Sequence, residues 1–593
     1  MATLPEAFYF GPPDRPLFGI WHAPEAPGSR SLAVVLVGPW GIEGMSLQRT
    51  WRQFAMDLAR EGFPVLRFDL DGCGDSYDPS PDTNFWPLWM SSLSRAKQTA
   101  LSFAGVEQVA LVGFRMGALL AASHVCAEPE GIRALVLMAP QRSGNACVRE
   151  LKMLEVSTSR GTHDTSWAVV TAGFGMNDAT FNALKSVPLP EEIPRGIQVA
   201  IIDRQEAPLG KGWTQKLATK GIASTHVVVP GYPDMMQIAH KVSAAPAFFR
   251  EAIASLLKAS ESSTRHDRNA RGSRPSDAWT LLDHKGKVLR EWALPPLGTK
   301  GMAAIVVQDT QRASPSANRK AVLILNSGAE HRVGPNRMWV GWARDFAAAG
   351  HTVVRLDLPG LGESLGDNLH PSTQVYRDDA IQAIQDAMNT LGEQLKVTQW
   401  ALMGLCSGAY HAIGAALSDP RVVRVVAINP FVFFPAQLHE IDLLANNAMD
   451  HMVTANTLKS AKDPKRWMRL VRGESNVRLI VQSLVGRTRT KVTKRSLDLG
   501  RMLKLVPISP QACRLTEATA RGCRFHFVFD ADEPGWAILK EDIGNLADRM
   551  IENGRFTLDT IAHGDHAFAT LKGRAQMLYV TQSHLQGWAG QPN

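Results

Sequence analysis

The sequence predicts an α/β protein of two tandem domains, each a mostly parallel sheet flanked by helices, the second with a helical lid insertion. Three observations lead there. The segment Gly62–Ser76 recurs as Gly350–Ser364, matching at Gly, Val, Arg, Asp, Leu, Gly, Gly and Ser at an offset of 288. The apolar runs Ala33–Gly38 and Ala321–Asn326 carry the same offset, and two small-residue turns, Gly113-Phe114-Arg115-Met116-Gly117 and Gly404-Leu405-Cys406-Ser407-Gly408, stand 291 apart. Between these landmarks short apolar runs alternate with amphipathic segments, the pattern of βαβ units around a parallel sheet. A repeat this long marks two whole domains rather than a solenoid, and 593 residues are too many for one hydrophobic core.

Taken in order, the first domain is expected over residues 1–257. From Ala259 to Pro275 almost nothing is apolar. Such a stretch cannot bury enough surface to offset its ordering entropy, so a linker is expected over 258–277. The second domain follows over 278–593, with its lid at about 433–523. In it, Trp400-Ala401-Leu402-Met403 reads as a strand and Ala409–Ala416 as a helix of small residues. Between them Cys406 stands at the apex of a sharp turn. Its flanking glycines matter because an apical side chain projects into a cleft only when its neighbours are nearly absent.

Both halves resemble the α/β-hydrolase superfamily. The likeness rests on the repeated Asp-x-x-Gly-x-Gly-x-Ser segments and on the Gly-x-nucleophile-x-Gly turn, with cysteine where serine is usual. The turn around Arg115 also resembles that of hydrolase-like proteins encoded with bacterial exosortase and exopolysaccharide systems. Catalysis by this fold uses a nucleophile, an acid and a histidine in that chain order. Gly564-Asp565-His566-Ala567-Phe568 resembles the histidine loop of the serine-aminopeptidase-like branch, which makes His566 the base; the alternative is His563 as base with His566 structural. The acid follows the run Phe525–Phe529. Asp532 fits if the loop aligns on its aspartates and is taken first; Glu533 fits if it aligns on Pro534-Gly535. Cys406 also admits the reading of a small buried hydrophobe.

Oxyanion stabilisation is expected from the N–H of Ser407 and from the loop Ser327-Gly328-Ala329. His331, Arg332 and Trp467 are candidate substrate contacts, although His331 and Arg332 also suit a solvated loop. Asp357, at a strand end before glycines, reads as a turn-holding residue. In the first half the apex is Arg115, whose guanidinium stays protonated and cannot attack a carbonyl. Asp203, Asp234 and His240 stand near the places of acid and base, but that half is expected to be catalytically silent. It serves as a structural partner, or Arg115 anchors an anion.

A thiol with a neighbouring histidine ionises toward neutral pH. Its acyl-thioester keeps more group-transfer potential than an acyl-serine. Two enzymatic readings follow: an ester or thioester hydrolase, or an acyltransferase to an alcohol or amine. A non-catalytic binding protein is the third. From Lys459 to Lys504 there are 14 Lys or Arg against Asp463, Glu474 and Asp498, a surplus of eleven that exceeds the whole chain's formal net charge of +8. Such a lid suits an anionic donor such as coenzyme A or an acyl-carrier protein, or is a solvated helical face. No nucleic-acid motif accompanies the charge. Met1–Glu6 lacks the features of a signal peptide and no run approaches the ~20 apolar residues of a membrane span. Six cysteines without metal spacing suit the reducing cytoplasm, and no phosphate loop or ligand cluster implies a cofactor.

Overall fold

The computed structural model describes residues 4–25, 30–158, 166–209, 211–237, 239, 241–243, 245–261, 279–312, 319–366, 375–434, 510–562, 564–586 and 588. Most of the expected linker, residues 435–509 of the expected lid, and Trp467, His240 and His563 lie outside the described residues.

The first domain is built on β1 (Glu6–Phe10), β2 (Leu17–His22), β3 (Leu32–Val37), β4 (Val65–Phe68), β5 (Gln108–Phe114) and β6 (Ile132–Met138). A small antiparallel hairpin, β7 (Val169–Thr171) with β8 (Phe174–Met176), precedes β9 (Gln198–Arg204) and β10 (Ser224–Val229). The sheet order is β1-β2-β4-β3-β5-β6-β9-β10; β1, β2 and β4 pair antiparallel and every later pairing is parallel.

Alternation along β3 explains why that strand is apolar throughout. Ala33, Val35 and Val37 join a core with Trp89 and Leu93 of helix Phe85–Ala104 and Leu119 of helix Met116–Ala127. Leu32, Val34 and Leu36 point to the other face, into Trp51 and Phe54 of helix Ile42–Arg60 and Phe248 and Leu256 of helix Pro246–Glu261. A strand covered on both faces has no polar side.

The second domain repeats the plan with β11 (Trp279–His284), β12 (Lys287–Ala293), β13 (Ala304–Asp309), β14 (Arg319–Ile324), β15 (Thr352–Leu356), β16 (Val397–Leu405), β17 (Val422–Ile428), β18 (Arg524–Asp530) and β19 (Phe556–Ile561). β11, β12, β13 and β15 pair antiparallel in that order, and β14, β16, β17, β18 and β19 pair parallel. The fold is thus two α/β domains with mostly parallel sheets flanked by helices. No described helix is long and apolar enough to cross a membrane.

The chain forms two compact units that do not follow the two sequence repeats. The larger comprises Met1–Ser314, Ala329–Gln374 and Ala569–Leu571; the smaller comprises Pro315–Gly328, Val375–Phe568 and Lys572–Asn593.

Within the larger unit both copies of the Asp-x-x-Gly-x-Gly-x-Ser loop adopt one geometry. Asp69 Oδ2 accepts from the Asp75 N–H at 2.9 Å, as Asp357 Oδ2 does from the Glu363 N–H at 3.0 Å. Gly74 and Gly362 have positive φ, and a Cβ at either would collide with that aspartate, so both positions require glycine. The serines close the loops: Ser76 Oγ donates to the Asp69 carbonyl and Ser364 Oγ to that of Asp357. Asp357 holds its turn, as its position before glycines implied. The acids at the equivalent positions Asp75 and Glu363 reach out of their own loops. Arg67 pairs with Glu363, and Arg355 pairs with Asp75.

Candidate active site

The smaller unit holds Cys406 where β16 passes into helix Ser407–Ser418. The apex is strained, with φ 57° and ψ −114°. A turn this tight needs both glycines. A Cβ on Gly404 would stand 2.4 Å from Gly408 O, and one on Gly408 2.5 Å from Asn326 O. The first domain keeps the same apex at Arg115, φ 56° and ψ −118°, with matching collisions at Gly113 and Gly117. The duplication therefore preserved the strained turn while the apical side chain changed.

β18 and β19 bring the other two groups. The side chains of Cys406 and His566 act on each other electrostatically, each lying among the main influences on the other's ionisation. His566 Nδ1 donates to Glu533 Oε1 at 2.8 Å. The carboxylate on the imidazole is therefore that of Glu533, while the Asp532 N–H donates to Asp530 Oδ1 at 3.2 Å. The alignment on Pro534-Gly535 is the one the fold follows, because Pro534 and Gly535 lead into helix Gly535–Ile543 and set the carboxylate just before it.

The electrostatics follow from this chain of contacts. Burial alone pushes the Cys406 thiol up. The hydrogen bond and charge of His566, with smaller help from Tyr376 and the Ser407 N–H, outweigh it and hold the thiol below its ordinary value. His566 moves the opposite way: burial lowers it, but Cys406 and Glu533 raise it well above the usual imidazole range. The two shifts reinforce each other, each group favouring the charged form of its neighbour. By contrast burial pushes Cys73, Cys147 and Cys523 up to about 12. The His566 side chain is 45% exposed and Glu533 15%, so the imidazole is open to a reactant while its acid is sheltered.

Two residues near the site were not legible in the sequence. Asn429, just beyond β17 with φ 43°, donates through Nδ2 to the His566 carbonyl at 3.0 Å and accepts through Oδ1 from the Asp530 N–H at 2.8 Å. One side chain thus ties the acid loop to the histidine loop. Its signal was faint, a polar residue closing an apolar strand. Tyr376 places its hydroxyl 3.5 Å from Cys406 Sγ, and no motif contains it.

The expected oxyanion donors divide. Ser407 follows Cys406, and its N–H helps hold the thiol down. The Gly328 N–H donates to Ser407 Oγ at 2.9 Å, which fastens the Gly328 loop to the turn. Ala329, His331 and Arg332 belong to the larger unit. There His331 and Arg332 line a cavity of about 130 Å³ together with Asp69 and Asp75. Arg332 is buried between carboxylates, bonded to Asp357 Oδ2 at 2.9 Å and Asp75 Oδ2 at 2.6 Å.

Arg115 is likewise engaged. Its Nε donates to Glu43 at 2.8 Å, its other arm pairs with Glu150, and its guanidinium lies 5.4 Å from the Tyr232 ring centroid. Two carboxylates already neutralise it, which leaves little charge for an external anion. Asp203 accepts from the N–H groups of Arg204 and Leu209 and meets His226 Nε2 at 3.1 Å.

Two family models match the chain. The model described as alpha/beta hydrolase fold matches residues 35–157, and that described as serine aminopeptidase, S33, matches residues 316–493. Among solved structures, Est1E from Butyrivibrio proteoclasticus with bound ferulic acid is 17% identical over 43% of this chain and 100% of its own, TM-score 0.34. A thermostable carboxyl esterase from Bacillus coagulans is 11% identical over 39% of this chain and 91% of its own, TM-score 0.30. A thioesterase domain from the curacin biosynthetic pathway is 16% identical over 43% and 99%, TM-score 0.28. The comparison with curated proteins found no match.

Proposed function

We propose that this chain, a protein of two tandem α/β-hydrolase domains, is an acyl hydrolase of the esterase or thioesterase type that works through an acyl-cysteine on Cys406. The observation that carries the reading is the relay Cys406–His566–Glu533, with the thiol held low and the imidazole held high. In this reading Sγ attacks the acyl carbon, the C–S bond forms and the carbonyl electrons move to oxygen. Collapse of that adduct expels the alcohol or thiol, which takes the proton from His566. Water then attacks the thioester as His566 removes its proton, and release of the acid restores the thiol. Glu533 holds the ring in the required tautomer and stabilises its charged form.

The choice of sulfur over oxygen favours a second reading, transfer to an alcohol or amine, because an acyl-thioester remains activated. A coenzyme A or carrier-protein donor rests on the basic segment Lys459–Lys504. One experiment separates these readings. Incubation with p-nitrophenyl acetate and a set of acyl-coenzyme A thioesters, followed by mass spectrometry, is expected to find the acyl group on Cys406 and then free acid. An acylated alcohol or amine in place of acid selects transfer. Absence of any adduct on Cys406, or full turnover by Cys406→Ala, overturns covalent catalysis and leaves a binding role.

A further inference from the structure

Among the described residues, the ionisable groups around Cys406 include His566 after β19, Glu533 after β18 behind it, Tyr410 on the helix that follows the turn, and Tyr376 ahead of helix Asp378–Leu395. Only the first two belong to the relay. The Tyr376 hydroxyl lies 3.5 Å from Sγ, within hydrogen-bonding reach of sulfur.

This approach is built by the surroundings. The Tyr376 ring meets Tyr410 edge to face, with centroids 5.5 Å apart and planes at 85°. Tyr410 is fully buried, one turn beyond the nucleophile on helix Ser407–Ser418. The next residue along, Arg377, donates its N–H to His411 Nε2 at 3.4 Å. Burial and Arg377 bring His411 down to about 4, so at neutral pH that nitrogen is an uncharged acceptor. Two consecutive residues are therefore fastened to two consecutive residues of the helix that carries the thiol. The phenol's position is tied to the sulfur's.

We propose that Tyr376 is a catalytic residue of the reaction put forward above, donating its hydroxyl hydrogen to the Cys406 thiolate and so fixing its rotamer and its ionisation. The direction of the bond follows from chemistry. Burial first, and then the Cys406 charge, push the phenol well above its ordinary value, so it keeps its proton and the sulfur accepts. No proton leaves Tyr376 at any step. The hydroxyl is a second donor beside the imidazolium, available to the thiolate before it attacks the acyl carbon and again when release of the acid frees it. That adds to the proposed acyl hydrolysis and rests on it only for the word catalytic; the bond to sulfur is testable alone.

The test is Tyr376→Phe in the full chain, which keeps the ring against Tyr410 and removes only the donor. The rate of Cys406 alkylation by iodoacetamide is followed against pH by mass spectrometry. A hydrogen bond to a charged group is worth about 1.5–3 kcal/mol, so the alkylation midpoint is expected to rise by roughly one to two pH units. Acylation by p-nitrophenyl acetate at neutral pH is expected to fall about tenfold or more. An alkylation profile superimposable on the parent's overturns the proposal, even if acylation slows. If the parent itself takes no acyl group, the hydrolase reading fails while the alkylation profile still decides the Tyr376 bond. A thermal melt of the variant close to the parent's excludes unfolding as the cause.

Discussion

Arg67 and Glu363 form the same ion pair as Arg355 and Asp75, with the two copies of the sequence exchanged. Arg67 and Arg355 are 288 residues apart, as are Asp75 and Glu363. Each arginine bypasses its own loop and binds the acid of the other: Arg67 donates through both terminal nitrogens to Glu363, and Arg355 spans Asp75 and Glu291. That reciprocity is the mark of a twofold, isologous contact. Within the larger unit the duplicated loops keep the relation that two identical chains would have. Around it Arg344 and Arg337 bind Asp78, and Arg344 also bonds Glu291.

Arg67, Asp75, Glu291, Arg344 and Arg355 are buried and the Glu363 side chain is only 10% exposed, so breaking the Arg67–Glu363 pair costs more than removing both members. Glu363→Gln leaves Arg67 without its counter-charge and is expected to lower the larger unit's stability by about 3–5 kcal/mol. A paired Arg67→Met, Glu363→Leu replacement should recover most of that loss. Chemical denaturation of the three proteins checks both statements, and a single variant as stable as the parent refutes the first.

Acid should dissolve the same network. Burial pushes the Asp75 and Glu363 carboxyls up, but their arginines outweigh it and hold both well below the usual carboxylate range. A group depressed on folding stabilises the protein above its unfolded value near 4 and loses that contribution as pH falls further. Asp69 runs the other way: burial and the nearby Asp75 charge raise it to about 6, so its cost to the fold is relieved as pH drops through 6. Melting temperature is thus expected to hold or rise slightly between pH 7 and 5 and to fall steeply below pH 4. A melt that stays level to pH 3 contradicts this assignment.

Glu533→Gln and Asp532→Asn should separate. Glu533 carries the bond to His566 Nδ1, so its amide is expected to lower turnover on the order of 10²–10⁴-fold with little change in stability. Asp532→Asn should leave turnover within a few-fold of the parent. Steady-state rates on one chromogenic ester decide it, and equal effects from both variants would detach Glu533 from its role.

Arg115→Ala is expected to leave acylation of Cys406 unchanged while destabilising the fold by about 1–3 kcal/mol, because Glu43 and Glu150 lose the guanidinium between them. Labelling of Cys406 beside a denaturation curve measures both. Reduced labelling without loss of stability would give Arg115 a function that its contacts do not suggest.

A fragment beginning near residue 277 should fail as an independent protein. It would retain Arg332, Arg344 and Arg355, all buried, while losing Asp75 and Asp78. Expression followed by size-exclusion chromatography is expected to find aggregate; a stable monomer with the parent's turnover would contradict it.

The duplication, the class of fold and the strained turn at Cys406 were all legible in the chain, because each depends on local chemistry. Glycines are needed where a Cβ would collide with backbone, apolar runs where a strand is covered on both faces, and these demands leave their mark residue by residue. What the tertiary structure decided depends on which distant atoms meet. Asp532 and Glu533 are adjacent and equally acidic, and only the path of Pro534 and Gly535 into the next helix turns Glu533 toward His566. Asn429 and Tyr376 are ordinary in sequence and acquire roles only where separate loops converge on one end of the sheet. The sorting of Arg332 into a buried ion network likewise came from Asp75, 257 residues away. Charge and spacing along the chain hold no record of such a partner, because electrostatic energy depends on separation in space and on burial, and both are set when the chain folds.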